Sequence, residues 1–417
     1  MKKISFLIIL TFILMCSCSF YDESVQIQNE GNSKKLTLMV YMAADNDLES
    51  YALENLKEME RADLKDINLL VLLDRAEGYD ETKGNWTDTR LFYVIHDGSG
   101  ENTIKSKRLT CPQLGLTESE NTELDMSNAL TLQNFIEYGK NKFKADNYAL
   151  IIWGHGTGWR AFCIDDRTDS YMTVKKLGDA IRGHGLSVIG FDTCFACVLE
   201  NIYELKDSAS YTVACPGLTD GRGWDYKLLL EKLSDKSNSA FDVANAMFQS
   251  SRSQTSIIDN SKLEELFTDF EVFSKELAET ITTRDSQYEV LNNLYNCESY
   301  FSNNNPCEIY LDIYSLAELY SSDPNLAVNP ELKVAAEQVL KKVNLVCVTE
   351  KNINGKIGIH FIPKTVSGAF ASSHSIDYIK DSRRTDQNLF IQKSLFWVPT
   401  ISGNSNSLLD KLFYWSF

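Results

Sequence analysis

Tyr148-Ala149-Leu150-Ile151-Ile152-Trp153-Gly154-His155-Gly156-Thr157-Gly158-Trp159 and, further along, Ser187-Val188-Ile189-Gly190-Phe191-Asp192-Thr193-Cys194-Phe195 decide how this chain is read. Each is a short apolar run that stops abruptly in reactive residues, the pattern of a buried strand delivering a side chain at its end. Parallel α/β sheets carry their chemistry at the carboxyl ends of strands. As neighbouring parallel strands, the two runs bring His155 and Cys194 together. A Cys beside a His is a nucleophile beside its proton carrier.

Strands are expected upstream at 36–42, 67–73 and 90–95, with amphipathic helices at 52–62 and 126–143. The polar loop Ala43-Ala44-Asp45-Asn46-Asp47-Leu48-Glu49 can cap the first helix. Downstream, a helix is expected at 174–182, then a strand at 212–215 and a Gly-rich loop, Gly217 to Tyr226, that suits a substrate-binding wall. Alternating strands and helices imply an α/β fold with a mostly parallel sheet covered on both faces. From 226 to 343 the chain reads as mainly helical, a C-terminal helical subdomain. Segments 345–349 and 358–362 read as a final hairpin around Asn354-Gly355. The division expected is 1–17 signal peptide, 18–35 tether, 36–250 catalytic domain, 251–343 helical subdomain, and 344–417 strands and tail packing on the core.

The reading places Cys194 where a strand turns into a helix, whose first amides favour a thiolate and a reaction oxyanion. Gly156 lets backbone approach a substrate carbonyl closely. Asp192, two residues before Cys194, shares its face of the strand and borders the same cleft. The chemistry implied is acyl transfer, with Cys194 attacking a peptide carbonyl and His155 protonating the leaving amine. Competing readings attach to the same residues. Cys194-Phe195-Ala196-Cys197 has the spacing of a thioredoxin-like redox pair. Zinc lacks a second pair of ligands at the right spacing. Trp153 and Trp159 either line the cleft or fill the core, and His360 sits inside a strand pattern as a structural residue.

The chain has 417 residues, 43% hydrophobic, and a net charge of -17, which excludes nucleic acid as a partner because phosphate binding needs clustered Lys and Arg. Lys2 and Lys3 precede an apolar run, 4–15, too short to span a bilayer and suited to a signal-peptide core. Ser17-Cys18 then resembles a lipoprotein cleavage site with Cys18 acylated; Cys16 fits worse because bulky Met15 precedes it, and a plain secretory signal is the alternative. An exported protein, anchored by lipid at the outer membrane or cell surface, follows. Of the ten Cys, eight remain without Cys16 and Cys18, and Cys297 and Cys307, flanking an Asn-rich loop, are the pair best placed for a disulfide.

Four stretches taken together resemble the clostripain family of cysteine peptidases, of the caspase-like clan CD. They are Val40-Tyr41-Met42-Ala43-Ala44-Asp45-Asn46-Asp47-Leu48-Glu49, Trp153-Gly154-His155-Gly156-Thr157-Gly158-Trp159, Phe191-Asp192-Thr193-Cys194 and Gly223-Trp224-Asp225-Tyr226, in the family's order. The resemblance implies a caspase-like sheet and an endopeptidase acting on protein or peptide substrates after Arg or Lys. His155 and Cys194 become its dyad, with no required third member, and the Gly156 and Cys194 amides its oxyanion hole. Asp192, Asp220 and Trp224 fall at the substrate pocket. The resemblance further implies a zymogen that cuts itself between His and Cys, here at Arg167, with Lys175 or Lys176 as alternatives. It leaves a monomer, or two associated cleaved chains. No cofactor is required; calcium is possible, with Asp165, Asp166 and Asp169 as available ligands. One departure stands out: Arg222 beside Asp220 would repel a basic side chain. A catalytically silent surface lipoprotein that binds peptides or proteins is the alternative from another class.

Overall fold

The computed structural model describes residues 33–235, 239–302, 305–322, 329–348 and 357–361. Its strands are β1 (Lys34–Ala44), β2 (Ile67–Arg75), β3 (Thr89–Tyr93), β4 (Lys107–Arg108), β5 (Ala145–Trp153), β6 (Ala161–Asp165), β7 (Ser170–Thr173), β8 (Leu186–Asp192), β9 (Ala209–Ala214), β10 (Ser256–Asp259), β11 (Ser299–Ser302), β12 (Asn305–Asp312) and β13 (Gly358–Phe361). Its helices are α1 (Glu49–Glu60), α2 (Ala129–Lys142), α3 (Val174–Ile181), α4 (Leu199–Glu204), α5 (Tyr226–Ser234), α6 (Ala240–Ser250), α7 (Leu263–Thr280), α8 (Arg284–Asn296), α9 (Ile313–Ser322) and α10 (Pro330–Val346).

An eight-stranded sheet in the order β10-β9-β8-β5-β1-β2-β3-β4 forms the centre, parallel from β9 to β2 and antiparallel at both margins. The apolar runs form its middle because only strands covered on both faces tolerate uninterrupted Leu, Val and Ile. Every residue of β2 is buried. Leu36, Leu38, Val40 and Met42 of β1 join a core with Leu53 and Leu56 of α1, Leu229 of α5 and Met247 of α6. On the opposite face α2 lies so close that a Cβ on Gly139 would come 2.6 Å from Met39 Sδ. The chain runs from β1 to β2 in one direction, then returns through β5, β8 and β9 in the other. The boundary between β1 and β5 is therefore a topological switch point, where open α/β sheets form crevices.

The charged segment 165–170 belongs to a tight β6–β7 hairpin, with only 166–169 as its turn. Two expectations change. Leu345 is the penultimate residue of α10, so no hairpin joins it to β13, which instead pairs antiparallel with β12; the Asn354-Gly355 turn lies outside the described residues. The expected disulfide is not formed: Cys297 is a free, buried thiol directed at the Asn293 carbonyl. Residues 1–32, with Cys16 and Cys18, lie outside the described residues.

The small β11-β12-β13 sheet buttresses the loops at the carboxyl edge. The Tyr310 hydroxyl of β12 donates to Thr157 O at 3.3 Å, and its ring lies 5.2 Å from that of Phe195. Gly158, at φ +66°, leaves the space that Tyr310 occupies; a Cβ there would overlap the phenol oxygen.

Candidate active site

The pairing of β5 with β8 runs through Ile152↔Phe191 to Trp153↔Asp192. His155 and Cys194 each follow two residues beyond that last pair, on neighbouring strand ends. The link continues past the strands, with the Gly154 N–H donating to Asp192 O at 3.4 Å. Gly154 has φ +135°, and a Cβ would come 2.7 Å from Ala43 O, so glycine is required for this passage. A Cβ on Gly156 would come 2.4 Å from the Cys194 carbonyl oxygen, which places the two segments nominated for the oxyanion hole against each other.

Cys194 is half-buried and has no helix beneath it. The segment 193–198 is irregular, and α4 begins only at Leu199. The expected helix dipole is thus absent from the site. Phe195 takes φ +53°, an uncommon conformation for a bulky residue, and turns the chain so that its N–H reaches Gly217 O at 2.7 Å. The Cys194 Sγ accepts from the Thr219 N–H at 3.3 Å and lies 3.3 Å from the Thr219 hydroxyl. A loop amide thus stands where the sequence places a helix N-terminus. Thr219 escaped the sequence reading, since only its place in the Gly-rich loop marked it.

His155 has a partner of its own. Its Nε2 lies 2.6 Å from Asp47 Oδ1, across the switch point from the end of β1. In the sequence Asp47 is marked only as a member of the capping loop and of the first family stretch, with no role of its own. That loop is held by Asn46, whose side chain donates to Ala43 O at 3.1 Å and Ile164 O at 3.0 Å and accepts from the Leu48 N–H at 3.1 Å.

Asp192 is buried at the end of β8, 4% exposed. Its Oδ2 accepts from the Trp224 N–H at 2.9 Å and the Tyr226 hydroxyl at 3.1 Å. Burial pushes its carboxyl up to about 7, against these two hydrogen bonds. Gly223, at φ +68°, covers it: a Cβ there would come 2.6 Å from Oδ2. Trp224 is 1% exposed and packs its ring over Gly190, so it supports Asp192 from behind rather than offering its ring to the cleft. Asp220 receives the Arg222 guanidinium, Nε at 2.9 Å and Nη2 at 2.7 Å, and this pairing holds its carboxyl well below the usual range. Asn55 braces the loop, donating to Arg222 O and accepting from Trp153 Nε1, both at 2.9 Å.

Cys197 is wholly buried and in no disulfide, its thiol pushed far up by burial, so the redox pairing with Cys194 falls away. Trp153 and Trp159 are both core residues, each 2% exposed. Arg167 is pinned: Nη1 lies 2.7 Å from Glu123 Oε2 and Nε 3.6 Å from Asp45 Oδ2. Asp165 is engaged by the Met126 and Thr168 amides, while Asp166 and Asp169 are exposed at the hairpin tip. Among the described residues, the carboxylate group with metal-ligand spacing is Asp45, Asp74 and Glu123.

A covered parallel sheet that carries Cys and His on adjacent strand ends is the frame of a caspase-like cysteine peptidase. The clostripain-family model matches residues 40–388, and this chain belongs to that family. It is 27% identical over 237 residues to clostripain of Hathewaya histolytica, a match covering 49% of this chain and 43% of that protein. The chain thus matches less than half the length of that curated relative. The fold is shared with a secreted C11 cysteine protease from Bacteroides thetaiotaomicron in complex with an irreversible peptide inhibitor (TM-score 0.55, 17% identity, 80% of this chain and 94% of that one). It is also shared with an inactive zymogen C11 protease from Parabacteroides distasonis (TM-score 0.57, 18% identity, 83% and 97%).

Proposed function

We propose that this chain is an exported cysteine endopeptidase that cleaves after Arg or Lys through His155 and Cys194. The observation that carries the reading is the β5–β8 register, which sets the two residues at equivalent places on neighbouring strand ends. Cys194 gives its proton to His155, and its sulfur adds to the scissile carbonyl. The Gly156 and Cys194 amides are the donors nominated for the oxyanion. An ionised Asp47 only accepts, so the Nε2 proton stays on the ring and Nδ1 exchanges the proton. As the tetrahedral adduct collapses, that proton goes to the leaving amine and an S-acyl enzyme remains. Water, deprotonated by His155, then releases the acid and restores the thiol.

Asp192 and Asp220 are the groups available to recognise a basic side chain. Self-activation by cleavage near Arg167 is part of the proposal. The guanidinium must first leave Glu123 and Asp45, so the hairpin has to open before its bond can reach Cys194. Export and lipid attachment at Cys18 rest on the N-terminal sequence; no helix among the described residues is long and apolar enough to cross a membrane.

The test compares wild-type and Cys194→Ala chains starting at Ser19. Each is incubated, run on a denaturing gel, and offered fluorogenic peptides ending in Arg, Lys, Asp or Leu. Wild type should split near Arg167 and cut Arg and Lys peptides, while the variant stays whole and inert. Activity confined to other peptides would reject the basic preference and keep the dyad. Two whole and inert proteins, with reductant and calcium present, would sink the peptidase reading.

A further inference from the structure

Helix α8 carries a polar face beside a cavity. Ser286, Glu289, Val290 and Asn293 follow at spacings of three and four, so they share one side of the helix. That side, with Glu279 at the end of α7 and Tyr320 of α9, lines a cavity of about 320 Å³, within the size range of small-ligand pockets. A helix face packed for stability alone would carry an apolar stripe here. Tyr320 is 2% exposed, and its buried hydroxyl has no hydrogen-bond partner among the described residues. Such a group is costly unless something bound meets it. Burial, opposed by the neighbouring Asn293 and reinforced by Cys297 and Glu289, pushes the phenol well above its ordinary value, so the hydroxyl keeps its proton. Ser286 is already engaged, its hydroxyl accepting from the Thr283 N–H at 3.0 Å in a capping box. The polar groups left to a ligand are the Tyr320 hydroxyl, the Asn293 amide and the exposed carboxylates of Glu279 and Glu289. The described lining contains no Lys or Arg.

We propose that this cavity binds an ammonium or guanidinium group on an apolar stem, supplied by a Lys or Arg side chain of a basic polypeptide segment. The cation's N–H groups would donate to the Tyr320 oxygen and the Asn293 carbonyl, with the Glu279 and Glu289 carboxylates balancing its charge. Its stem would lie against Val290 and the Tyr320 ring. An anionic ligand would meet two acids, and a purely apolar one would leave the Tyr320 hydroxyl unmet. A polypeptide is favoured over a free amine by the surface next to the cavity. Asn329 lines the cavity, and Pro330 lines a second hollow of about 400 Å³ between α7 and α10. There Val272 and Val334 are 48% and 55% exposed, and the charged groups are Asp269, Glu276 and Glu331, all acids. An exposed apolar strip rimmed by carboxylates suits the remainder of a basic amphipathic segment. Occupancy of the site does not depend on whether His155 and Cys194 cut peptides.

The test measures binding, not turnover. Every chain starts at Ser19 and carries Cys194→Ala with Asp220→Ala, so that no probe is cut and the Asp220 carboxylate proposed for basic substrates is removed. Spermidine and an amphipathic Lys/Leu peptide with blocked ends are titrated by calorimetry. The parent should bind one peptide per chain, more tightly than it binds spermidine. Adding Tyr320→Phe should weaken both about fivefold, the scale of one hydrogen bond. Adding Glu289→Lys should weaken both about tenfold, through a lost and then reversed charge. Val334→Ser should weaken the peptide and leave spermidine unchanged. Without a probe, Tyr320→Phe should melt no lower than the parent, since its hydroxyl has no partner to lose. Equal binding of spermidine and peptide, both weakened by Tyr320→Phe and Glu289→Lys, would keep the site and overturn the polypeptide as its occupant. No binding by the parent, or binding that both substitutions leave intact, would overturn the site itself. So would a Tyr320→Phe chain that melts well below the parent, because the hydroxyl would then serve the fold.

Discussion

The strand ends bearing His155 and Cys194 and the loop from Gly217 to Asp225 border one space, since Thr219 touches Cys194, yet they are held in opposite ways. The proposed dyad, His155 and Cys194, is placed by backbone: a register, two glycine passages and a strained turn at Phe195. Its side chains stay available, His155 with 37% of its side chain exposed. The loop is placed by side chains, and the two acids proposed to meet the substrate, Asp192 at the end of β8 and Asp220 in the loop, are already taken. Asp192 is held by Trp224 and Tyr226, and Asp220 is closed by Arg222. On the proposed function, the chemistry is therefore built onto the ends of the sheet. On the proposed function, specificity would hang on one surface ion pair and one buried carboxyl.

Removing the backbone-placed groups should give the largest effect. Cys194→Ala and His155→Ala are each expected to lower kcat at least about 1,000-fold on the best peptide, because groups that act as a unit fail together. Their melting temperatures should stay at the wild-type value; a large drop would mean these residues hold the edge together instead. Asp47→Ala tests whether the dyad leans on a third side chain. It should lower kcat about tenfold, roughly 1.4 kcal/mol in the barrier, with KM unchanged. Asp47→Asn, which keeps an acceptor oxygen near Nε2, should recover part of that loss. A change confined to KM would assign Asp47 to substrate binding.

The same division explains what the sequence disclosed. β1, β2, β5, β8 and β9 are legible because covered parallel strands are continuous apolar runs, and the reactive residues at their ends followed. β10 and β11 are four residues each, too short for periodicity to separate from the surrounding helices. α10 takes in Leu345 and Val346, whose side chains suit strand or helix equally. The start of α4 was misjudged because Phe195 turns the chain with a positive φ that no bulky residue advertises. The Asp47–His155 contact joins residues far apart in sequence, and Asp47 differs in no local way from the polar residues around it. The closure of Arg222 onto Asp220 was foreseen as a conflict of charges, but not as a bidentate pair within one turn.

That pair can be opened. Arg222 is 68% exposed, so its hold on Asp220 is screened by solvent and modest. Arg222→Ala should raise kcat/KM for an Arg peptide about two- to fivefold through KM alone, the scale of an exposed ion pair. Asp220→Ala in the same background should erase the gain. A fall in kcat/KM on removing Arg222 would instead make it a substrate contact.

The smallest expected effect separates the two acids by their titration. Asp220 stays charged across the working range because Arg222 holds its carboxyl low. Asp192 does not, since burial pushes it to about 7. A basic side chain gains a charge partner from Asp192 only above that value. The measurement is the ratio of kcat/KM for matched Arg and Leu peptides between pH 6 and 8, in which the titration of the dyad cancels. If Asp192 recognises the substrate, the ratio rises severalfold with pH and Asp192→Asn flattens it; if Asp220 does, it is flat in both proteins. Stability carries the same signature with the opposite consequence. A carboxyl raised above its ordinary 3.8 in the folded chain favours folding fully below that value, and the contribution is lost as pH rises through about 7. Asp192→Asn should therefore lessen the fall in melting temperature between pH 4 and 7, whichever acid meets the substrate. The ratio and the melting curve together distinguish a buried acid that only shapes the loop from one that also reads the peptide.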